Sequence, residues 1–371
     1  MPKNLRILHV VDSLRPGGME NGLVNVAVRL AGRGGETHVA CLVSSGEFAA
    51  RLPNPENVHL LGKSDGFCWP PVGNLRLLIR ELAPDLVHTH NLGPLIYACL
   101  ASFGGRLVPI LHGEHGQIQE HERNARRRWQ RRLLYFCCKR IHTVSRSMIG
   151  AMAAEGLPTT KVTAVVNGVD SDRFCPATSK AEAKQGLGLP AEALVVGVVG
   201  RFVGLKRHVA LLDALEFIMG ELPDLYLVVV GDHGDAREAV VAKMESHPHK
   251  SRIVWAGMQK DTLPYYQAMD LLVSPSEIEG LSNVVLEAMS SGVPVLAHDA
   301  CGNTEVIDHE QNGFCDDLGS VSKLAAALRL RLSARDRLRI TGELARNHVR
   351  TCFSLDSMAD GYWSLYQECA R

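Results

Sequence analysis

Two carboxylates, Glu279 and Glu287, stand eight positions apart in EIEGLSNVVLEAM, residues 277–289, with Glu277 just upstream. Acidic residues beside a glycine turn can be the acid and base of a hydrolase, or they can hold a polar ligand without moving a proton. Ser282 and Asn283 are good N-cap types and Gly292 a natural stop, so a helix is expected between them, with Glu279 in the preceding loop and Glu287 inside the helix. Were the whole span helical, the carboxylates would still be separated by about 12 Å of rise and roughly 80° of rotation, too far to act on one bond. The spacing therefore gives them separate tasks. Glu279 lies near a helix N-terminus whose N–H groups favour a phosphate, and Glu287 is placed to accept from a ribose diol or to be a plain surface or capping residue. Glu277 reads as a surface residue.

Other stretches carry residue types of the same kind. GRFVGLKRH puts Arg201 and Lys206 on one loop, where a guanidinium fork and an ammonium could meet an anion or be solvated surface charges. RPGGMENG places Gly17 and Gly18 after an apolar run, a position where small residues admit a sugar or phosphate, though a glycine pair is more often just a turn. VPILHGEHG holds His112 and His115, and VVVGDHGD holds Asp232. Ten cysteines occur without a CxxC pair, and Cys137 and Cys138 are neighbours that cannot easily bridge, so neither a zinc ribbon nor a disulfide framework is indicated. A reducing cytoplasm fits that usage.

The elements that must position these residues follow from periodicity. At 371 residues the chain suits two domains with a cleft between them. Net charge is zero, but residues 1–175 hold 21 Lys+Arg against 14 Asp+Glu and the remainder 19 against 26, so the first half is basic and the second acidic. RILHVVDSL reads as a buried strand, PGGMENG as a turn, and LVNVAVRLAGRG as a helix ended by Gly34 and Gly35. HVACLV, DLVHTH, VPILHGEH, RIHTVS and KVTAVVNG continue a strand–helix alternation that implies a mostly parallel sheet. KAEAKQGLGLPAEA reads as a connector, after which ALVVGVVG, LYLVVVGD, RIVWAG, DLLVSPS and VPVLAHD begin a second alternating series. The expected architecture is α/β: two Rossmann-like doubly wound domains, residues 1–175 and 190–355, facing a cleft. Residues 356–371 read as an amphipathic helix crossing back to the first domain. No apolar run reaches membrane-spanning length, and the opening run is too short for a signal peptide.

Taken in order, these motifs resemble the retaining nucleotide-sugar glycosyltransferases of family 4, which have the two-domain GT-B fold. The family's E-x7-E signature is Glu279 and Glu287 in EGLSNVVLEAMSSGVPVLA. The resemblance implies that Glu287 binds the ribose hydroxyls and that Glu279 lies by the transferred sugar, with Gly280, Leu281, Ser282 and Asn283 lining the donor site. It implies that Arg201 and Lys206 clamp the diphosphate and that Gly17 and Gly18 line the donor from the first domain. His115 matches the spacing of the family's histidine against the donor sugar better than His112 does. Asp232 stands where a second glycine is more usual and is expected to line the nucleotide pocket; GNTEVI, with Glu305, resembles the Gly-rich segment beside the donor. DSD at 170–172 would be a metal motif on another glycosyltransferase fold, but within the NGVD hinge it is structural, and no metal or cofactor is expected. GGMENGLVNVA, DLVHTHNL, HGEHG and GLSNVVLEAM together look like sugar transferases of exosortase-associated exopolysaccharide systems.

The resemblance implies transfer of a sugar from a UDP- or GDP-linked donor to a glycan or polyprenyl-linked acceptor with retention of configuration. A nucleotide-sugar epimerase and a non-catalytic scaffold on the same fold remain as alternatives; a dehydrogenase is disfavoured, since the first turn lacks GxGxxG. Residues 122–140 hold eight Lys/Arg against one Glu, interleaved with Trp129, Leu133, Leu134, Tyr135 and Phe136. Such a segment suits either an anionic membrane surface at the inner face of the membrane or a core helix with a solvated arginine face. No nucleic-acid-binding fold accompanies the arginines.

Overall fold

A computed structural model describes residues 4–116, 124–278, 280–299 and 302–371. It divides into two compact units, Met1–Gly168 with Leu355–Arg371, and Val169–Ser354. Unit 1 opens with β1 (Leu5–Ser13), α1 (Gly18–Ala31), β2 (Gly35–Ser44) and β3 (Val58–Leu60). It continues through α2 (Pro70–Leu82), β4 (Leu86–His90), α3 (Leu92–Ala101) and β5 (Ile110–Glu114). α4 (Ala125–Cys137), β6 (Arg140–Thr143), α5 (Ser147–Ala154) and β7 (Val162–Ala164) complete the series. Among the described residues the strands form one seven-stranded parallel sheet in the order β3-β2-β1-β4-β5-β6-β7. Alternate residues of β1 serve opposite faces: Leu8 and Val10 join the cluster under α2 and α3, while Leu5 and Ile7 join another. A strand buried on both sides is apolar nearly throughout, and in ILHVV only the buried His9 breaks the run.

Unit 2 repeats the scheme with α6 (Lys180–Gly186), β8 (Leu194–Val199), α7 (His208–Glu221) and β9 (Leu225–Val230). α8 (Arg237–Ser246), β10 (Ile253–Gly257), α9 (Leu263–Ala268) and β11 (Leu271–Ser274) follow. α10 (Asn283–Ser290), β12 (Val295–His298), β13 (Phe314–Asp316), α11 (Val321–Leu332) and α12 (Arg335–Cys352) close it. Its six strands, among the described residues, run parallel in the order β10-β9-β8-β11-β12-β13. The last helix, α13 (Leu355–Ala370), belongs to unit 1, where Met358, Tyr362, Leu365 and Tyr366 pack against Leu5, Ile7, Leu86 and Leu111.

Two segments depart from the sequence expectation. KAEAKQG is a helix rather than a connector, because Ser179 Oγ accepts from the Glu182 N–H at 3.3 Å and Lys184 is buried against Asp270 (2.9 Å) and the Ala193 carbonyl (2.7 Å). Serine followed three residues later by glutamate is a capping-box pattern, a signal that lay in the sequence. The first helix starts at Gly18, inside the stretch expected to be a turn, and ends at Ala31, ahead of Gly34 and Gly35.

Strand order reverses between β1 and β4 in unit 1 and between β8 and β11 in unit 2, and loops leaving such a point diverge to admit a ligand. Glycines set how closely these loops approach. Gly231, after β9, has φ +145°, and a Cβ there would lie 1.9 Å from the Gly200 carbonyl oxygen. Gly302 is tighter, with a Cβ only 1.6 Å from the Gly280 carbonyl oxygen. Gly231→Ala must therefore separate the loops after β8 and β9, at a cost of about 3 kcal/mol from strain and overpacking. Urea unfolding should register that loss; an unchanged midpoint would mean the loops do not pack this way.

Candidate functional site

The loop after β8 throws alternate residues to opposite sides. Phe202 is fully buried, its N–H donating to the His233 carbonyl at 2.9 Å, and Arg201 beside it is exposed at the carboxyl end of the strand. A 3-10 turn at 204–206 brings Lys206 back, with its aliphatic stem near Gly200. Arg207 adopts φ +53° and reaches Glu277 at 3.5 Å and the Leu318 carbonyl at 2.5 Å. Glu277, exposed as expected, is thus a partnered residue; its N–H also donates to the Leu205 carbonyl at 3.0 Å. These bonds fasten the loop after β11 to the loop that carries Arg201 and Lys206.

Beyond that join, Gly280 meets Gly302, Leu281 is buried, and Ser282 takes the N-cap position of α10 without its side chain capping the helix. Asn283 is the first helical residue, so the N-terminal amides of α10 lie at the same end of the sheet as Arg201. Glu279 lies outside the described residues. Glu287 is half-buried one turn in, and Oε2 accepts from the Tyr266 hydroxyl at 2.9 Å. Tyr266, on α9, is wholly buried; burial, then the Glu287 charge, raises its pKa well above the ordinary value, so it remains a donor. Its part was not visible in the sequence, because α9 precedes β11 and no local spacing links the two side chains. Asp232, expected to line the nucleotide pocket, is engaged by its own loop: it accepts from the His233 N–H at 2.7 Å and from Arg237 Nε at 2.6 Å. Glu305 sits half-buried in the 3-10 turn Asn303–Glu305. Asp170 Oδ1 accepts from the N–H groups of Asp172 (3.3 Å) and Arg173 (3.2 Å), which is turn-forming chemistry.

A cleft of about 410 Å³ opens at the opposite, amino-terminal ends of the unit 2 strands. Its cations are already engaged: Lys180 and Lys184 with Asp270, Arg335 with Asp224, Arg339 with Glu343. It lies away from the Arg201 loop and the amino-terminal end of α10, and chemistry is better placed there.

In unit 1, Gly17 is the N-cap of α1 and Gly18 its first residue. Gly17 is extended at φ −167°, a conformation open to any residue, and the space a Cβ would take holds the Glu20 carboxylate at 2.3 Å. The glycine pair thus starts a helix. His112 is buried among Thr89 (2.9 Å) and Glu114 (3.3 Å), a structural place. Glu114 would be raised by burial, but the hydrogen bond and charge of His112, with Arg131 and Tyr135, hold its pKa down to about 2. Arg131 Nε lies 3.1 Å from it, and the Tyr135 hydroxyl donates at 2.8 Å.

His115, half-buried after β5, joins a histidine network that sequence reading did not single out. His9 Nδ1 meets His90 Nε2 at 2.9 Å, and His90 Nδ1 meets His115 Nε2 at 2.7 Å. His88 meets His142 at 2.8 Å and the Tyr366 hydroxyl at 3.0 Å. The register explains it: His9 lies opposite His88, and Gly113 lies opposite both His90 and His142. HTH on β4 carries the signal, since two histidines at strand period share a face. Nitrogens of His9, His88 and His90 lie within 4.8 Å of one another, a spacing that could hold a metal ion. The rings do not converge on a point, however, for the nitrogens of His9 and His90 are aimed at each other. Burial first, then neighbouring imidazoles, lowers their pKa values: His9 to about 3, His115 to about 4, and His88, His90 and His142 well below 6.5.

Helix α4 spans most of the basic segment and has two faces. Arg131 and Tyr135 are buried, whereas Trp129, Leu133 and Phe136 are 64%, 52% and 75% exposed. The core-helix and surface readings each describe one side of it.

Residues 16–173 match the family described as Glycosyltransferase Family 4, and residues 179–348 the family described as Glycosyl transferases group 1. The chain is similar to the UDP-Gal:alpha-D-GlcNAc-diphosphoundecaprenol alpha-1,3-galactosyltransferase of Escherichia coli, 26% identical over 79% of this chain and 78% of that protein. It is 30% identical to a sulfoquinovosyl transferase of Arabidopsis thaliana over 73% of this chain, spanning 55% of the relative's length. The crystal structure of Anabaena HepE in complex with UDP and glucose superposes with a TM-score of 0.84 at 21% identity, covering 98% of this chain and 99% of that one; the likeness is one of fold.

The histidine network makes stability depend on pH with a fixed sign. Folded-state values lie below the ordinary 6.5, so above pH 6.5 both states are neutral and the contribution is complete. As pH falls below 6.5 the unfolded chain binds protons that the folded chain refuses, and stability is lost toward the folded values of about 3 and 4. Urea midpoints should fall between about pH 7 and about pH 5, with more than one proton taken up on unfolding. A flat profile would show that the rings are charged in the fold.

Proposed function

We propose, from the premise that the chain is a GT-B glycosyltransferase with a family 4 amino-terminal unit and a group 1 carboxy-terminal unit, that it moves a sugar from a nucleoside diphosphate donor to a hydroxyl of a lipid-linked glycan, with retention of configuration. The observation that carries this is the join at the switch point of unit 2, where the Leu205–Glu277 hydrogen bond holds Arg201, Lys206 and the N-terminus of α10 at one end of the sheet. UDP is the preferred donor nucleotide, a choice supported by the UDP-linked donor in the name of the Escherichia coli relative and the UDP in the Anabaena complex; GDP is the alternative. The diphosphoundecaprenol in the same relative's name supports a polyprenyl-linked acceptor, and with it a place in exopolysaccharide assembly.

In the proposed reaction Glu287, oriented by Tyr266, accepts from the ribose hydroxyls. Arg201, Lys206 and the α10 amides stabilise negative charge as the bond from the anomeric carbon to the diphosphate breaks. The acceptor oxygen bonds to that carbon, and its proton passes to the leaving phosphate oxygen, so no protein base is required. Glu279 attends the transferred sugar, with Gly280, Leu281, Ser282 and Asn283 shaping the loop around it; the family resemblance gives His115 of unit 1 a role toward the donor sugar. Fixed cations take the part of a metal in this scheme, and none is needed.

The exposed Trp129, Leu133 and Phe136 recur at helical spacing beside the exposed arginines 126–128, and they support peripheral contact with an anionic membrane at its inner face. Among the described residues no helix is long and apolar enough to cross a membrane.

Arg201→Ala should lower kcat at least tenfold, about 1.4 kcal/mol of barrier. Glu287→Ala should mainly raise KM for the donor, and Tyr266→Phe should do so more weakly, by about 1 kcal/mol. Full activity in Arg201→Ala and Glu287→Ala would remove the site assignment. UDP or GDP should raise the melting temperature, and activity should survive EDTA; loss restored by Mg²⁺ or Mn²⁺ would end the metal-free scheme. Flotation with anionic liposomes should be lost when Trp129 and Phe136 become serine.

A further inference from the structure

We infer that the carboxyl end of the unit 1 sheet holds a subsite for one pyranose ring of the acceptor glycan, with Phe67 and Trp69 as its stacking face and Asp12 and Asn91 as its hydroxyl contacts. That the ring belongs to an acceptor rests on the glycosyltransferase reading; that this surface takes a neutral sugar does not.

The residues are assembled at the switch point of the sheet, where β1 and β4 are neighbours. Asp12 and Asn91 each stand two residues beyond the last paired positions, Val10 and Thr89. Asp12 is exposed, and its carboxylate has no hydrogen bond or ion pair among the described residues. Its oxygens face Gly93, where a Cβ would lie 3.7 and 3.8 Å from them. Asn91 holds φ +65° and ψ 171°, a region nearly reserved for glycine, and backbone strain of that kind gathers at ligand sites. Its Oδ1 accepts from the His115 N–H at 3.3 Å, so the Nδ2 hydrogens remain as donors with no acceptor among the described residues. Gly93 and Tyr97 are one turn apart on α3, and helical side chains lean toward the N-terminus, so the Tyr97 ring reaches back over Gly93. Burial raises the Tyr97 pKa, and Asp12 is among the charges that raise it further. Phe67 stacks on that ring at 5.4 Å with planes 25° apart, and Trp69 meets Phe67 edge-on at 5.2 Å. Between them the Cys68 N–H donates to the Tyr97 hydroxyl at 3.2 Å, which ties the loop to α3.

Phe67 and Trp69 are 51% and 67% exposed even though their loop is tied down, so two apolar rings are held in water beside unanswered polar groups. An aromatic face alone suits an alkyl chain as well as a sugar. Asp12 and Asn91 decide between them, since an alkyl chain would strip water from a carboxylate and an amide and return no hydrogen bond. A pyranose carries C–H groups on its faces and hydroxyls around its edge, so it meets the rings and the polar pair together. Its hydroxyls donate to Asp12 and accept from Asn91 Nδ2, which uses the one acceptor and the one donor left open here. Burial raises the Asp12 pKa, and Lys63, whose ammonium donates to the Ser64 carbonyl at 3.3 Å, pulls it back. A phosphate at this point would face the Asp12 carboxylate, so the neutral ring rather than a diphosphate is the part held.

Saturation-transfer NMR on the full-length protein, with no nucleotide present, should show a methyl α-glycoside of N-acetylglucosamine, glucose, galactose or mannose bound through its ring C–H protons. Trp69→Ala and Asp12→Asn should each abolish that signal. With a UDP-sugar and α-GlcNAc-diphosphoundecaprenol, the acceptor in the name of the Escherichia coli relative, Trp69→Ala should raise KM for the acceptor about tenfold. KM for the UDP-sugar should stay within about twofold, and Trp69→Phe should recover most of the loss. Asp12→Asn should raise the acceptor KM by about as much, through the hydrogen bond to a charged group that it weakens. Asn91→Gly should raise the urea midpoint, since glycine adopts φ +65° without strain, and still weaken the acceptor, a pairing that a purely structural role would not produce. No bound glycoside, an unchanged acceptor KM in Trp69→Ala and Asp12→Asn, or undecaprenyl diphosphate competing as well as the sugar-bearing acceptor would overturn the proposal. If no nucleotide sugar binds or turns over, the glycosyltransferase reading fails, while the NMR of the wild type and of Trp69→Ala and Asp12→Asn judges the subsite on its own.

Discussion

Close approach of backbone to backbone, at the carboxyl ends of the unit 2 strands, is the constraint from which the rest of that end follows. Gly231 against Gly200 and Gly302 against Gly280 leave no space for a Cβ, so neighbouring loops pack main chain on main chain. Phe202 can then sink into the core and take the backbone of its loop with it, which turns Arg201 outward. The same closeness lets the Glu277 N–H reach the Leu205 carbonyl and lets Arg207 span to Glu277. Charge is thereby concentrated by the main chain, with the cations riding on rigid loops rather than on free tethers. Preorganised dipoles and cations of this kind stabilise developing charge without reorganising when it appears.

Unit 1 manages buried polarity in two opposite ways within one strand end. Glu114 is kept ionised, since Arg131, Tyr135 and His112 together outweigh the penalty of its burial. Directly beside it, His9, His88, His90, His115 and His142 are kept neutral and satisfied mostly by one another. A charged ring in the middle of that group would be stripped of water beside other imidazoles, and burial first, then those neighbours, push their pKa values down. The two solutions coexist because β5 alternates its faces: His112 and Glu114 turn toward α4, and Gly113 leaves the other face open to the imidazoles.

The sequence made the architecture plain because a doubly wound unit has a two-period signature, apolar runs separated by amphipathic helices, and both units repeat it. Turn chemistry was read less well. Ser179 caps the helix that opens in SKAE, yet the Ala/Gly content of KAEAKQGLGLPAEA suggested a connector, and the first helix begins at Gly18, within the stretch read as a turn. That Arg201 and Lys206 share one loop was legible in the sequence, since both fall in the short stretch between two elements. Tyr266 and the histidines were not, because their partners come from different strands and helices: His9, His90 and His115 are brought together only by the strand order β1-β4-β5. Spacing along a chain reports neighbours within an element, and register across a parallel sheet is set by the connections between elements.

Helix α4 shows why two readings of one segment need not compete. Trp129, Leu133 and Phe136 recur at helical spacing on one side; Arg131 is two residues from Trp129, roughly 200° around the axis, and shares its side with Tyr135. Burying an arginine is costly unless its charge is matched, and here Glu114 matches it. Rolling the helix to hide its aromatic face would withdraw Arg131 and the Tyr135 hydroxyl from Glu114 and leave that carboxylate buried among imidazoles. The inward charge pair thus holds the aromatic residues outward, and it does so one residue from His115. An ion pair of little net worth to stability can still fix which way a helix faces, and through that fix what the protein presents to its surroundings.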